Sequence, residues 1–215
     1  MDWAHLVREF VTLLVVIDPI GTIPVYLYAV AGVPARLHRR FALRAVAIAA
    51  VVLLLFLVGG QVVLETLGLR LGSFQIAGGI VLFLFAMTMV FGESKAQTEI
   101  AEAQRVDDGA HLSGAVFPLA MPSIASPGAM LAIVILTDNR SNTLAEQALT
   151  AGLLVGVLAL TLVLLLAASL IHRLIGDTGA SVISRVMGII LATIAVDSVL
   201  GGFDALGILD VSTAF

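Results

Sequence analysis

Apolar residues run along this chain in long blocks, with charge confined to short intervals between them. A helix needs about 20 mostly apolar residues to cross a bilayer. Six stretches meet that length, approximately Phe10 to Val30, Phe41 to Thr66, Ser73 to Phe91, Phe117 to Thr137, Gln147 to Ile171 and Ala180 to Phe203. The second and fifth are the most continuously apolar, whereas the first and fourth carry prolines and polar residues near mid-span. The pattern predicts one all-α integral membrane domain over residues 1–215. Within it, 10–91 and 117–203 each hold three spans, 92–116 is a charged loop, and 204–215 is a tail.

Composition agrees. Hydrophobic residues make up 60% of the chain and charged residues 12%, against about half and about a quarter in a soluble domain. Net charge is −4, with no basic patch interleaved with aromatics, so nucleic acid is not an expected partner. The bilayer is. Cysteine is absent, which excludes disulfides, thiolate metal sites and thiol redox chemistry. His5, His38, His111 and His172 have no ligand spacing, so no metal centre is expected. Asp2 and Glu9 spoil a basic n-region and Asp18-Pro19 interrupts the apolar run, so the first segment reads as a retained span rather than a cleaved signal peptide.

Orientation follows from Lys and Arg in the short loops. The link between spans one and two carries Arg36, Arg39, Arg40 and Arg44. With that link in the cytoplasm, Lys95, Arg105 and Arg173 also fall inside, and Arg8, Arg70 and Arg140 fall outside. Both termini are then expected outside a bacterial or archaeal inner membrane.

The halves resemble one another. At an offset of 108 to 109 residues, Asp18-Pro19 falls on Ser126-Pro127, Gly59-Gly60 on Ala167-Ala168, Gly68 on Gly176 and Gly79 on Gly188. Gly21 lies beside Gly128 after a one-residue gap. Three spans per repeat is an odd number, so the repeats must be inverted. Inverted repeats with broken helices at matching positions are the architecture of many secondary transporters.

Spans one and four are the broken ones. Pro19 and Pro127 each remove a helical hydrogen bond, and the nearby Gly21 and Gly128 ease unwinding. A half-helix that restarts after such a break presents free N–H groups and the positive end of its dipole. Two such ends converging near the midplane would hold a carboxylate. Asp18 is the ionisable group at the first break. It could cap the new half-helix, accept an ammonium, or hold a coupling Na⁺ or proton. Thr22, Ser123 and Ser126 add hydroxyls, whose alternative use is back-bonding to helix carbonyls. Elsewhere Asp197 and Arg185 are candidates for ion coupling or gating, with a wet vestibule and interfacial snorkelling as the plainer readings. Gln75 reads as interhelical packing glue, Glu65 and Asp204 as interfacial. Gly78-Gly79, Gly188 and the Gly152/Gly156 pair are expected to let helices approach closely.

At these residues the chain resembles the MarC family, which includes the SnatA amino-acid transporters. Asp18-Pro19-Ile20-Gly21-Thr22-Ile23-Pro24 is similar to that family's first-helix signature, Phe74-Gln75-Ile76-Ala77-Gly78-Gly79-Ile80 to its third-helix motif. Pro118-Leu119-Ala120-Met121-Pro122 with Ser126-Pro127-Gly128 is similar to its fourth-helix pair, and Arg185-Val186-Met187-Gly188 to the start of its sixth helix. The resemblance implies six inner-membrane spans, a place in the lysine-exporter-like superfamily, and transport of small neutral amino acids such as glycine and alanine. Thr22 stands where the family has Asn, and Ser126 where it has Gly. Both departures bear on substrate size.

The expected function is a secondary transporter of a small zwitterion, without a cofactor beyond a possible coupling cation. Its substrate-binding residues would be Asp18, Pro19, Gly21, Thr22, Ser123, Ser126, Pro127 and Gly128. The alternatives are efflux of another small solute or drug, and a non-transporting membrane subunit. An intramembrane hydrolase would need Asp18 and Asp197 as a carboxylate pair, and an ATP-driven pump a phosphate-binding loop that the chain lacks. Neither is expected. Oligomeric state is not legible.

Overall fold

The computed structural model describes residues 3–91, 99–101, 113–137 and 143–208. The side chains of residues 61, 65, 71, 113 and 177 fall outside that description, and with them the placement expected of Glu65. So do Lys95, Arg105 and most of the charged loop.

Among the described residues the chain is helical, without strands. The elements are α1 (Trp3–Ile17), α2 (Thr22–Val30), α3 (Ala35–Thr66), α4 (Leu71–Phe91), α5 (Val116–Ile124), α6 (Pro127–Leu136), α7 (Leu144–Leu166) and α8 (Ala168–Ala205). Four stretches are long and apolar enough to span a membrane singly: Ala35–Leu64, Gly72–Phe91, Leu144–Leu166 and Thr178–Ala205. Two bent pairs complete six when each is counted as one span. The pair α1 and α2 bends by 41°, the pair α5 and α6 by 43°. The spans therefore fall where the apolar blocks predict them.

Three details differ from the expectation. The first span begins at Trp3 rather than Phe10, so its break is off-centre, with 15 helical residues before it and 9 after. The extra turns carry the exposed Arg8, which pairs with Asp197, and the buried Glu9. The half-helix after the first break starts at Thr22, with residues 19–21 forming a turn. The fifth span stops at Leu166, and a separate helical stretch runs from Ala168 to a break at Gly176.

Local chemistry sets the boundaries. Thr143 and Glu146 form a capping box at the start of α7: Thr143 Oγ1 accepts the Glu146 N–H at 3.3 Å, and Glu146 Oε2 accepts the Thr143 N–H at 2.8 Å. Gly68 ends α3 at φ 64°, where the Leu69 N–H reaches back to the Leu64 carbonyl at 3.0 Å. Gly176, its partner at the repeat offset, adopts φ 62°. In α5, Phe117 and Met121 have extended backbone and precede the cis prolines Pro118 and Pro122, so this half-span is irregular throughout.

The core is built from small and branched side chains, with Ile17, Phe41, Leu53, Leu119, Leu154 and Leu191 fully buried. Around it, Leu55, Val58, Leu84, Phe91 and Val163 are each 60% exposed or more. Such a rim suits lipid. Helix association gains nothing there from hydrophobicity and depends instead on close packing. That packing is closest between α4 and α8, which run antiparallel along each other. A Cβ added to Gly72 would come within 2.6 Å of the Gly202 carbonyl oxygen, and one added to Gly202 within 2.7 Å of the Gly72 carbonyl oxygen. A Cβ on Gly79 would lie 2.8 Å from the Ala195 carbonyl oxygen and 2.7 Å from Val199; one on Gly188 would lie 3.2 Å from the Ala86 carbonyl oxygen and 3.0 Å from Val90. Gly152 and Gly156, by contrast, meet nothing within 4 Å, so their expected role in close contact does not appear within this chain.

These contacts separate two kinds of glycine. Gly79→Ala pushes on backbone and is expected to cost about 1–3 kcal/mol. Gly156→Ala adds a methyl to an open face and should be neutral or stabilising by up to about 1 kcal/mol. Thermal unfolding of both variants in detergent checks the contrast.

Candidate functional site

Pro19 has no N–H, so the Val15 carbonyl loses its helical donor four residues on, and the backbone must turn. It turns at Asp18, which has φ 47°, a left-handed conformation that Asp tolerates better than most residues. The Asp18 N–H closes α1 on the Leu14 carbonyl at 3.0 Å, and the Asp18 carbonyl opens the next turn by accepting the Thr22 N–H at 3.1 Å. One residue thus ends one helix and starts another.

The Asp18 side chain completes the break. Its Oδ1 accepts the Gly21 N–H at 3.0 Å, as a capping carboxylate does. Its Oδ2 accepts a hydrogen bond from Ser184 Oγ of α8 at 3.2 Å. Thr22 Oγ1 donates to the Asp18 carbonyl at 3.0 Å and accepts from Ser123 Oγ at 3.3 Å. Ser123 sits just before the second break. A continuous polar path therefore runs from Ser184 through Asp18 and Thr22 to Ser123, joining the first, fourth and sixth spans. Asp18 is 2% exposed, Thr22 and Ser123 0%, and Ser184 4%, so the path is sealed from solvent.

Gly21 is a steric requirement of this arrangement. A Cβ there would lie 2.1 Å from Asp18 Oδ2 and 2.6 Å from Ser184 Oγ. At the second break Ser126 has extended backbone, and its Oγ caps α6 by accepting the Ala129 N–H at 3.1 Å, with Pro127 in the first turn. Ser126 is 1% exposed, but its hydroxyl serves its own helix. A Cβ on Gly128 would meet Phe85 at 3.2 Å and Leu82 at 3.3 Å, so this glycine lies against α4. Of the residues expected at the site, Asp18, Gly21, Thr22 and Ser123 are linked to one another, with Pro19 in their turn. Ser126, Pro127 and Gly128 form the second break without a hydrogen bond to that group among those described.

Gly21, Thr22 and Ser184 all donate to Asp18, and among the described residues no basic side chain forms an ion pair with it. A carboxylate deep in a membrane helix costs about 2.5–3.5 kcal/mol on insertion scales. Two hydrogen bonds to the carboxylate, from the Gly21 N–H and Ser184 Oγ, offset part of that.

Asp197 lies elsewhere. It is exposed on α8 and pairs with Arg8 of α1 at the end of the bundle that carries the N-terminus. Ser184 and Asp197 are 13 residues apart on one helix, about 20 Å along its axis. Asp18 and Asp197 therefore form no carboxylate pair for hydrolysis. Arg185 is exposed, next to the inward-facing Ser184. The expected interhelical bond of Gln75 is not formed at Oε1, which is buried without a hydrogen-bond partner among the described residues. No metal-binding group of His, Asp and Glu occurs among them either.

Sequence reasoning missed Ser184, because a lone serine in an apolar helix looks like one that back-bonds to its own turn. The repeat offset carried the signal: 109 residues earlier stands Gln75, so a polar residue stands at the corresponding position of the third and sixth spans. It also missed Glu9, which is 2% exposed, accepts from Thr150 Oγ1 at 3.0 Å and lies 3.5 Å from His5 Nδ1.

The site makes two stability expectations. Gly21→Ala displaces the carboxylate and should lower the thermal midpoint in detergent more than any alanine substitution on the lipid face. Ser184→Ala removes one hydrogen bond to a buried charged group and should cost about 1–3 kcal/mol.

Comparison with known proteins agrees with the architecture. No solved structure matches the chain. Curated relatives do so over nearly full length. A membrane protein of Methanocaldococcus jannaschii is 30% identical over 205 residues, covering 94% of this chain and 97% of its own. The inner membrane protein YhgN of Escherichia coli K12 is 29% identical over 198 residues, 92% of this chain and 95% of that one. A membrane protein of Aquifex aeolicus is 30% identical over 200 residues, 91% of each. The family model described as MarC family integral membrane protein matches residues 3–206, and with that near-complete coverage the chain belongs to the MarC family.

Proposed function

We propose that this protein is a secondary transporter of small zwitterions, with neutral amino acids of the size of glycine and alanine as the substrate class. The observation that carries the reading is Asp18: a carboxylate buried at a helix break, served by hydrogen-bond donors and without a cationic partner among the described residues. A zwitterion supplies both missing charges. Its ammonium would face Asp18, and its carboxylate the N-terminal turns of α2 and α6 at Gly21, Thr22 and Gly128. A coupling Na⁺ or proton would use the same carboxylate.

Alternating access would come from two inverted repeats rocking about the site. Several features support the inversion. The two bent spans have nearly equal bends, 41° and 43°. Gly68 and Gly176 both have positive φ, 64° and 62°, at an offset of 108 residues. Shifted by 109 residues, the contacts of Gly79 with Ala195 and Val199 become those of Gly188 with Ala86 and Val90, the reciprocity of a two-fold axis. The arginines at positions 36, 39, 40 and 44 are all exposed, in keeping with a cytoplasmic link and both termini outside an inner membrane.

A second reading, a non-transporting membrane subunit, is favoured by the closed packing around Asp18. In the transport reading that packing is an occluded state. Full-length protein in liposomes, given labelled glycine and alanine under sodium and proton gradients, separates the two. Uptake or exchange of either supports transport; none, for any small amino acid, overturns the substrate class. Asp18→Asn keeps an acceptor for the Gly21 N–H, and Asn caps about as well as Asp. It should therefore retain its thermal midpoint while uptake falls at least about tenfold, the effect of losing about 1.4 kcal/mol of charge-specific binding.

A further inference from the structure

A second polar region lies at the end of the bundle that carries the N-terminus, apart from Asp18. A cavity of about 240 Å³ opens there between α1, α4, α6 and α8, and its polar lining is His5, Arg8, Glu9, Thr12, Gln75, Asp197 and Ser198. Arg8 and Asp197 face each other across it, from α1 and α8, as an ion pair. Their side chains are 69% and 55% exposed, so the pair stands at the mouth, where it adds little to stability. Beneath it lie the buried Glu9 and the unpartnered Gln75 Oε1. The same two spans are joined a second time at depth, by Ser184 and Asp18.

We propose that this cavity is an outer capture site for a small zwitterion, closed by the Arg8–Asp197 ion pair acting as a gate. A zwitterion is itself an ion pair. Its carboxylate can take Arg8 and its ammonium can take Asp197, so the gate opens without leaving either charge alone. A lone cation or anion can replace only one partner and strands the other. Gln75 Oε1 is a second acceptor for the ammonium. Opening frees α1 from α8 at the mouth, and the ligand then has Glu9 and Thr12 on the way toward Asp18. This site rests on the transport reading and deepens it.

The chain has no cysteine, which makes a single introduced thiol a clean reporter. Ala132 lines the cavity from α6 and is 3% exposed. Ala132→Cys is labelled with a membrane-impermeant maleimide added to the face that carries the N-terminus, in vesicles holding the full chain. Asp197→Asn and, separately, Arg8→Gln should each speed labelling about tenfold, the shift expected when a closed population loses its clasp. The double exchange Arg8→Asp with Asp197→Arg restores a pair of reversed sense and should return labelling to the slow rate; it also guards against variants that simply misfold. With the native pair, glycine should slow labelling several-fold, whereas methylamine and acetate at the same concentration should not. Equal rates with and without the pair overturn the gate. Protection by methylamine or acetate alone overturns the zwitterion assignment, and so does no protection by glycine. Gated, glycine-protected labelling in a protein that moves no amino acid overturns transport and leaves the capture site standing; transport with ungated labelling does the reverse.

Discussion

Backbone that leaves helical geometry inside a bilayer must find its hydrogen bonds within the protein, because lipid offers none. In this chain that demand falls on Asp18, and much of the centre is arranged to meet it. Pro19 forces the turn, and Asp18 takes the left-handed conformation that makes it. Gly21 leaves out the Cβ that would strike the carboxylate. Ser184 and Thr22 bring donors, and Ser123 ties Thr22 to the second broken span. Since Ser184 belongs to α8, the glycine contacts that hold α8 against α4 also hold a donor on Asp18. The kink and the helix packing are one system.

Charge is handled differently at the two polar levels. At depth, a single carboxylate is satisfied by neutral donors, at 2% exposure. At the bundle end, Arg8 and Asp197 neutralise each other in the open, while Glu9 is buried against Thr150. An exposed pair contributes about 0–1 kcal/mol, so stability alone is a weak reason to place two charges on facing membrane helices. Burying Glu9 is costlier, and its hydrogen bond to Thr150 holds α1 to α7 at the level where the cavity opens.

How much of this was legible follows from the physics of each signal. The spans were, because a bilayer imposes a minimum apolar length that few soluble segments reach. The start of the first was not, since His5, Arg8 and Glu9 look like solvent-facing residues until Thr150 and Asp197 are seen to receive two of them. Asp18, Gly21, Thr22 and Ser123 were legible because proline and glycine mark a break within a few residues of each. Ser184 and Arg8 were not, as each meets its partner across more than 160 residues of sequence. Two isolated charges in opposite-running spans could have named each other, had their depth been compared.

The proposed repeat relation adds a constraint that either half alone lacks. The breaks match in position and bend, yet they are chemically unequal. Asp18 places a carboxyl group at the first, and Gly21, Thr22 and Ser184 donate to that residue. Ser126 places a neutral hydroxyl at the second, and it accepts from its own helix. If the repeats exchange conformations, the backbone rearrangement is nearly symmetric, but the charge travels with the first repeat only. In the proposed transport reading, an ion bound before the exchange would have its address beside Asp18, and the second break would serve as the wall against which the rest of the ligand is measured. In the same transport reading, Thr22 and Ser123, the two hydroxyls that touch across the breaks, would set how large that ligand is.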